Sequence, residues 1–470
     1  MKGVNKMVYI TTMQSPVYRK MTLEEFLFPK SHDAFREFNP VVSRNETNTR
    51  TICVERVSPQ VLGSVDIQAL ILSLSQFNAF AGSAIRGDIH TYYKTFYMLK
   101  RSKTMGTFFK GVFDSQKRFV KCDSKQVCSG LAQILAPLIA QHPTTEHAEL
   151  FRNTKTAVLQ FLNQNGFDEN LLDFDQLFSS VYRKIDAPNE VLQGVLQNLK
   201  VMFEDRFHVL YHTAAFAYVK GRCTVDAAKR HQKNESRWYA KLDLSNFFGS
   251  TTPEFVMAQL SQVFPFSEVV RVPEGREALE RAIGYAFLDG GLPQGTKLSP
   301  LLTNIMMIPV DHELSKQLRG DKQGDFVYTR YADDFTVSSK YNFDVHHVEE
   351  IVRGVLTKFN APFRLNESKT TYGSSKGMSK NFVLGVVINH DNEVTVGYKA
   401  IHKMCAKLTA FVLDYKNGVR WSHEDLMQLS GLLSYYNMVN NQKLQNAIRK
   451  IDAKYHANTR YLLKQALKAS

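Results

Sequence analysis

Paired cysteines are missing from this chain. Cys53, Cys122, Cys128, Cys223 and Cys405 are scattered and form no C-x-x-C pair. That argues against a zinc ribbon or a disulfide frame and points to a reducing compartment. Long apolar runs are missing as well. The longest, Leu131 to Ala140, is too short for a hydrocarbon layer of ~30 Å. The N-terminus carries no charged-then-apolar leader layout. A soluble, cytoplasmic protein with no membrane association is expected. No repeat or low-complexity tract stands out among the 470 residues, which exceed what one compact domain usually holds. Proline is sparse, but Pro16, Pro29 and Pro40 interrupt the first 60 residues. Those are expected to be irregular, with short strands or turns.

Acid is in deficit. Lys and Arg number 59 against 45 Asp and Glu, a formal net charge of +14. The excess is concentrated: residues 94–125 carry a net +7 and residues 399–470 a net +8, so the rest is nearly neutral. Such a balance suits a polyanionic partner, nucleic acid ahead of a membrane surface. A content of 44% hydrophobic and 22% charged residues is ordinary for a protein that buries a core.

Helical spacing of Ile67, Leu70, Ile71, Leu74 and Phe77 opens a stretch, 65–142, that is expected to be helical. Within it, aromatics from Tyr92 to Phe119 alternate with cations that include Lys100, Arg101, Lys103 and Lys110. This pattern can stack on bases while binding phosphates. It also fits a helix pair with buried rings and solvated lysines. Further helical patterns fill 145–200, and a lobe boundary is expected near 145–190. Residues 399–470 suggest three helices, the last carrying Leu444, Ile448, Ile451 and Tyr455 with a basic outer face that includes Arg449 and Lys450.

Between these regions lie segments with chemistry. Lys220-Gly221-Arg222 puts a glycine between two cations, ahead of a helix expected to start with Thr224 as N-cap. The run Trp238 to Leu244 alternates, presenting Asp243 at the end of a strand. Gly290-Gly291-Leu292-Pro293-Gln294-Gly295 leads into Ser299-Pro300, good chemistry for a helix start. Asp333-Asp334 sits at a turn between the β-prone runs Phe326–Tyr331 and Phe335–Ser339. Alone, two acids at a turn fit a solvated turn. With Asp243 on a neighbouring strand they would make a cation site. A further strand is expected over Phe382–Ile388.

In this order, the blocks over roughly 200–440 resemble bacterial reverse transcriptases of the group II intron-like and retron-like lineage. The blocks are Lys220-Gly221-Arg222, Asp243 with Phe247-Phe248, Leu292-Pro293-Gln294-Gly295, Tyr331-Ala332-Asp333-Asp334, Leu365-Asn366 with Lys369-Thr370, Leu384-Gly385, and Leu429 to Tyr435. The resemblance implies an α+β, right-hand polymerase fold with fingers, a palm bearing a small antiparallel sheet, and a helical thumb. The domains expected are a mainly helical extension over 1–190, fingers and palm over 191–398 and thumb over 399–470. It implies an RNA-directed DNA polymerase that uses two Mg²⁺ ions. Asp243, Asp333 and Asp334 resemble the metal-binding catalytic acids. Lys220 and Arg222 resemble residues that neutralise the triphosphate. Gln294 resembles the residue beside the incoming sugar, Phe248 the gate that excludes a 2′-hydroxyl, and Lys369 a cation near the site. The partners implied are an RNA template, dNTPs and a DNA product, and a homo-oligomer is compatible with it.

Retron enzymes resemble one another in a Val-Thr-Gly block where this chain has Val383-Leu384-Gly385. No zinc knuckle, HNH-type endonuclease or RNase H block follows the thumb-like region. The chain therefore looks most similar to the unknown-group, defence-associated enzymes, with a dedicated noncoding RNA and an antiphage role expected. The alternatives are an RNA-binding assembly module with untemplated or protein-primed synthesis, and a retron or group II intron-type enzyme.

Overall fold

A computed structural model describes Val8–Tyr9, Cys53–Val54 and residues 66–100, 105–115, 124–139, 147–168, 170, 172–207, 209–321, 324–375, 382–439 and 441–469. In chain order the strands are β1 Val8–Tyr9, β2 Cys53–Val54, β3 Tyr93–Leu99, β4 Tyr182–Pro188, β5 Trp238–Asp243, β6 Val327–Tyr331, β7 Asp334–Ser339, β8 Thr371–Ser374, β9 Phe382–Val383, β10 Val386–Ile388 and β11 Val394–Thr395. The architecture is α+β with small antiparallel sheets. Among the described residues, no helix is long and apolar enough to cross a membrane.

The chain divides into two compact units. One holds Leu210–Ser245 and Met307–Ser470, the other Ser64–Val209 and Asn246–Met306. These limits differ from the boundaries expected at 190 and 398. Most of the expected extension shares a unit with the segments bearing Phe248 and Gln294.

The first unit is built on a four-stranded antiparallel sheet in the order β6-β7-β5-β8. β-Branched and aromatic residues favour these strands, and Tyr239, Leu242, Phe335 and Val337 are buried. Helix Thr224–Lys233 lies against the sheet. Its buried His231 bonds Ser338 Oγ at 2.6 Å through Nδ1 and Thr329 Oγ1 at 2.8 Å through Nε2. The N-cap of that helix is Cys223, one residue before the expected Thr224, and the Asp226 carboxylate accepts from the Cys223 backbone N–H.

The expected strand over Phe382–Ile388 is instead a hairpin, with β9 paired to β10. Leu384 and Gly385 have φ of 53° and 83°, the left-handed pair that a two-residue hairpin turn demands.

The C-terminal region has four helices, not three: Tyr398–Lys416, His423–Val439, Asn441–Tyr455 and Thr459–Ala469. They share a core that includes Met404, Phe411, Leu429, Leu444 and Ile448. The chain reverses at His456, with φ 43°. Asp452 then accepts from Thr459 N at 2.8 Å and starts the last helix.

In the second unit, helices Ile67–Ala84, Glu190–Asp205 and Pro273–Gly284 pack together, and Asn78 Nδ2 donates to Ala278 O at 2.8 Å. The 65–142 stretch is not all helix. Tyr93–Leu99 is a strand, paired along its whole length with β4, from Tyr93↔Pro188 to Leu99↔Tyr182. Its Tyr-Lys-Thr-Phe-Tyr run has high β-propensity. The helices between the two strands carry their own core, in which Phe108, Phe174, Phe178 and Tyr182 pack ring on ring.

Three imidazoles in the first unit are buried. Burial pushes His231 and His312 down to about 3 and holds His212 well below its ordinary value of 6.5. Below pH 6.5 the unfolded chain takes up protons that these rings refuse. Their contribution to stability is therefore present above pH 6.5 and is lost as pH falls from 6.5 toward 3. At pH 5 the loss is about 2 kcal/mol for each of His231 and His312. The urea midpoint should drop clearly between pH 7.5 and pH 5, and an unchanged midpoint would refute the buried neutral assignment.

Candidate active site

The β6–β7 hairpin and β5 bring the acids together. Tyr331 faces Asp334 across the hairpin, and Asp243 faces Asp334 on the other side. Cross-strand partners share a sheet face, so the two side chains are neighbours. The turn between them is tight, with Ala332 at φ 57°, and Leu244 N donates to Asp333 O at 3.2 Å. The Asp243 carboxylate is largely buried. It accepts from Lys369 Nζ at 2.8 Å, while Asn366 N donates to the Asp243 carbonyl at 2.8 Å. Lys369 itself is exposed.

Asp334 as a whole residue is exposed, yet neighbouring protein partly desolvates its carboxyl. That desolvation, the charges of Asp333 and Asp243, and a hydrogen bond with Asp243 push it up to about 6, with Lys369 opposing. Lys241, on the same strand as Asp243, is lowered to about 8 by burial, with Asp334 opposing. Among the described residues, no three carboxylate, imidazole or thiolate groups stand ready as a finished metal cage. The chemistry of the cluster still fits a hard cation. Three carboxylates compete within one turn and one strand end, and the Lys369 ammonium supplies positive charge beside Asp243.

The segment 211–222 is attached to the strand that carries this turn. Phe216 N donates to Arg330 O at 2.9 Å and Arg330 N to Ala214 O at 2.7 Å. Lys220 is exposed, and the exposed ring of Tyr218 lies 6.4 Å from that of Tyr331. Arg222 differs from its expected role. Its Nη1 donates to the carbonyls of His212 at 2.7 Å and Ala215 at 2.6 Å, which fastens the loop.

Sequence reasoning missed a second arginine. Arg330 and Asp311 have side chains with no exposure. Nε and Nη2 of Arg330 meet the two Asp311 oxygens at 2.8 Å each, and Nη1 donates to the Ala332 carbonyl at 3.2 Å. The partners are 19 residues apart, so no local pattern signals the pair.

The segments bearing Phe248 and Gln294 meet within the second unit. Leu292 N donates to Phe248 O at 2.9 Å. The half-buried Phe248 ring meets the buried Phe247 ring edge-on at 5.7 Å. β4 holds the next residues, with Asp186 N donating to Gln294 O at 2.8 Å. Thr95 Oγ1 donates to the Asp186 carboxylate at 2.6 Å, and Lys184 lies 3.4 Å from it. Gly295 has φ 137°, and a Cβ there would lie 2.7 Å from the Asp186 carbonyl oxygen. Gly295→Ala should therefore cost on the order of 1–3 kcal/mol and displace Gln294. A thermal melt identical to that of the parent chain would contradict this.

Of the cations expected to touch nucleic acid, Lys110, Arg449 and Lys450 are exposed. Lys100 donates to Ser179 O at 2.6 Å. Arg101 and Lys103 lie outside the described residues. Phe108 is a core residue with no exposure, so it is not available to stack on bases.

Part of the chain matches a known family. Residues 179–388 match the family described as reverse transcriptase (RNA-dependent DNA polymerase). The chain is 29% identical over 269 residues to the retron Ec83 reverse transcriptase of Escherichia coli, covering 55% of this chain and 79% of that one. It is 27% identical over 228 residues to the retron Ec73 enzyme of Escherichia coli, covering 48% and 69%. Both are retron enzymes, although Val383-Leu384-Gly385 had set the chain apart from retrons. A telomerase from Candida albicans, solved with a TWJ fragment of telomeric RNA, matches with a TM-score of 0.36 and 11% identity, covering 61% of this chain and 64% of that one. Enzymes of the matched family use divalent metal ions, an RNA template and a DNA product. Residues 179–388 are thus a reverse transcriptase domain, and the chain is an RNA-directed DNA polymerase.

Proposed function

We propose that the chain copies a dedicated noncoding RNA into DNA at Asp243, Asp333 and Asp334, with two Mg²⁺ ions as its metal. The observation that carries this reading is the register that sets Asp243 opposite Asp334 at the end of the sheet, beside Asp333. Bound there, the ions would activate the primer 3′-hydroxyl and neutralise the triphosphate. Asp243 is held by Asn366 and Lys369, and the hairpin turn carries the other two acids. Lys220 is exposed on a loop fastened by Arg222 and is the better candidate of the two to meet the triphosphate. Gln294 lies beside the incoming sugar, and the Phe248 ring excludes a 2′-hydroxyl. Their support is the backbone link between Leu292 and Phe248. Lys110, Arg449 and Lys450 bind nucleic acid backbone.

The retron relatives favour a retron-type enzyme that recognises its own structured RNA. An antiphage role is the cellular counterpart of that reading. The experiment is to purify the protein from its cells and sequence the bound RNA and DNA. One recurring noncoding RNA with matching cDNA supports the reading, and a random transcript mixture refutes a dedicated template. Loss of phage resistance on deleting the gene checks the cellular role.

A further inference from the structure

We propose that Arg330 is the positioning residue of the catalytic turn: its guanidinium, fixed by Asp311, holds the Ala332 carbonyl and so sets how Asp333 and Asp334 are presented. This rests on the assignment of those acids as the metal carboxylates.

Three features separate the arrangement from an ordinary buried ion pair. The first is the division of donors. Nε and Nη2 take both oxygens of Asp311 at 2.8 Å, which leaves the plane of the guanidinium no freedom, and Nη1 then points at Ala332 O at 3.2 Å. A planar fork does this, whereas a lysine ammonium is a single point charge on a flexible stem. The second is the state of the turn. Ala332 has φ 57° and is buried, a left-handed conformation that is unfavourable for a residue with a Cβ. A bond to its carbonyl opposes relaxation of the turn. The third is continuity. The Arg330 backbone pairs with Ala214 and Phe216, so the same residue fixes the loop bearing Lys220 relative to Asp333 and Asp334. Tyr328 completes the shell, its hydroxyl donating to Asp311 Oδ1 at 2.8 Å.

Metal-assisted transfer depends on the placement of its ligands within a few tenths of an ångström. Arg330 acts through the turn and touches no substrate. Its loss should therefore lower kcat and weaken metal use while leaving nucleotide binding nearly intact.

The test is steady-state incorporation by the full chain with Arg330→Lys, Tyr328→Phe and Asp333→Asn, each scored per folded molecule by circular dichroism. Arg330→Lys should lower kcat by about 100-fold and raise the half-saturating Mg²⁺ concentration about tenfold, with the dNTP KM within about threefold. Tyr328→Phe removes one bond to the same aspartate and leaves the Ala332 contact in place. It should shift the melting temperature but keep kcat and Mg²⁺ dependence within about threefold. Wild-type kcat and Mg²⁺ dependence in Arg330→Lys would overturn the proposal, as would an equal loss in Tyr328→Phe. Should Arg330→Lys not fold, Arg330→Gln is read in the same way. Activity retained in Asp333→Asn would instead sink the parent assignment of the acids.

Discussion

Asp333→Asn should abolish DNA synthesis, with a fall in kcat of at least ~10³-fold, while the fold survives. The amide has the size of the carboxylate but carries no charge, and the positioning of a hard cation depends on that charge. Loss of several kcal/mol of charge stabilisation corresponds to about three orders of magnitude in rate. Unfolding would not explain the loss. Asp333 is one of the charges that push Asp334 up to about 6, so removing it relieves repulsion in the metal-free protein. The metal-free melting temperature should hold or rise. Incorporation near the wild-type rate would show that the cluster is not the metal centre.

Phe248→Ala should open the enzyme to ribonucleotides. The preference for dNTP over rNTP in kcat/KM is expected to fall about 100-fold, the scale on which a single steric contact discriminates between substrates. The prediction is clean because the Phe248 backbone is held independently of its ring. Its carbonyl accepts from Leu292, and the neighbouring Phe247 is buried in the core. Truncation therefore removes the obstacle without moving Gln294. If rNTP use stays at the wild-type level, Phe248 is not the gate.

The hairpin and its acids were legible because both flanking strands are local and their side chains alternate. Phe326–Tyr331 and Phe335–Ser339 became Val327–Tyr331 and Asp334–Ser339. Tyr93–Leu99 is a strand within a stretch whose sequence suggests helix, because its partner strand starts at Tyr182 and pairing over that distance leaves no local mark. The fourth C-terminal helix leaves no boundary signal in the sequence because the turn at His456 contains neither glycine nor proline. The structural contacts of Arg222 and Arg330 are hidden from the sequence for a common reason. Each turns Nη1 to backbone carbonyls, Arg222 to those of His212 and Ala215 and Arg330 to that of Ala332, and every residue has a carbonyl. Side-chain chemistry such as Asp333-Asp334 shows in a sequence, whereas a guanidinium aimed at backbone shows only once the chain is folded.

The most direct test of the central claim is templated incorporation. The purified chain is given Mg²⁺, all four dNTPs and a primer annealed to either of two RNA templates of unrelated sequence, and the products are sequenced. Each product should be DNA complementary to the RNA supplied, and omission of Mg²⁺ should prevent its formation. Products of the same sequence on both templates would contradict RNA-directed synthesis, as would extension that persists without a divalent ion.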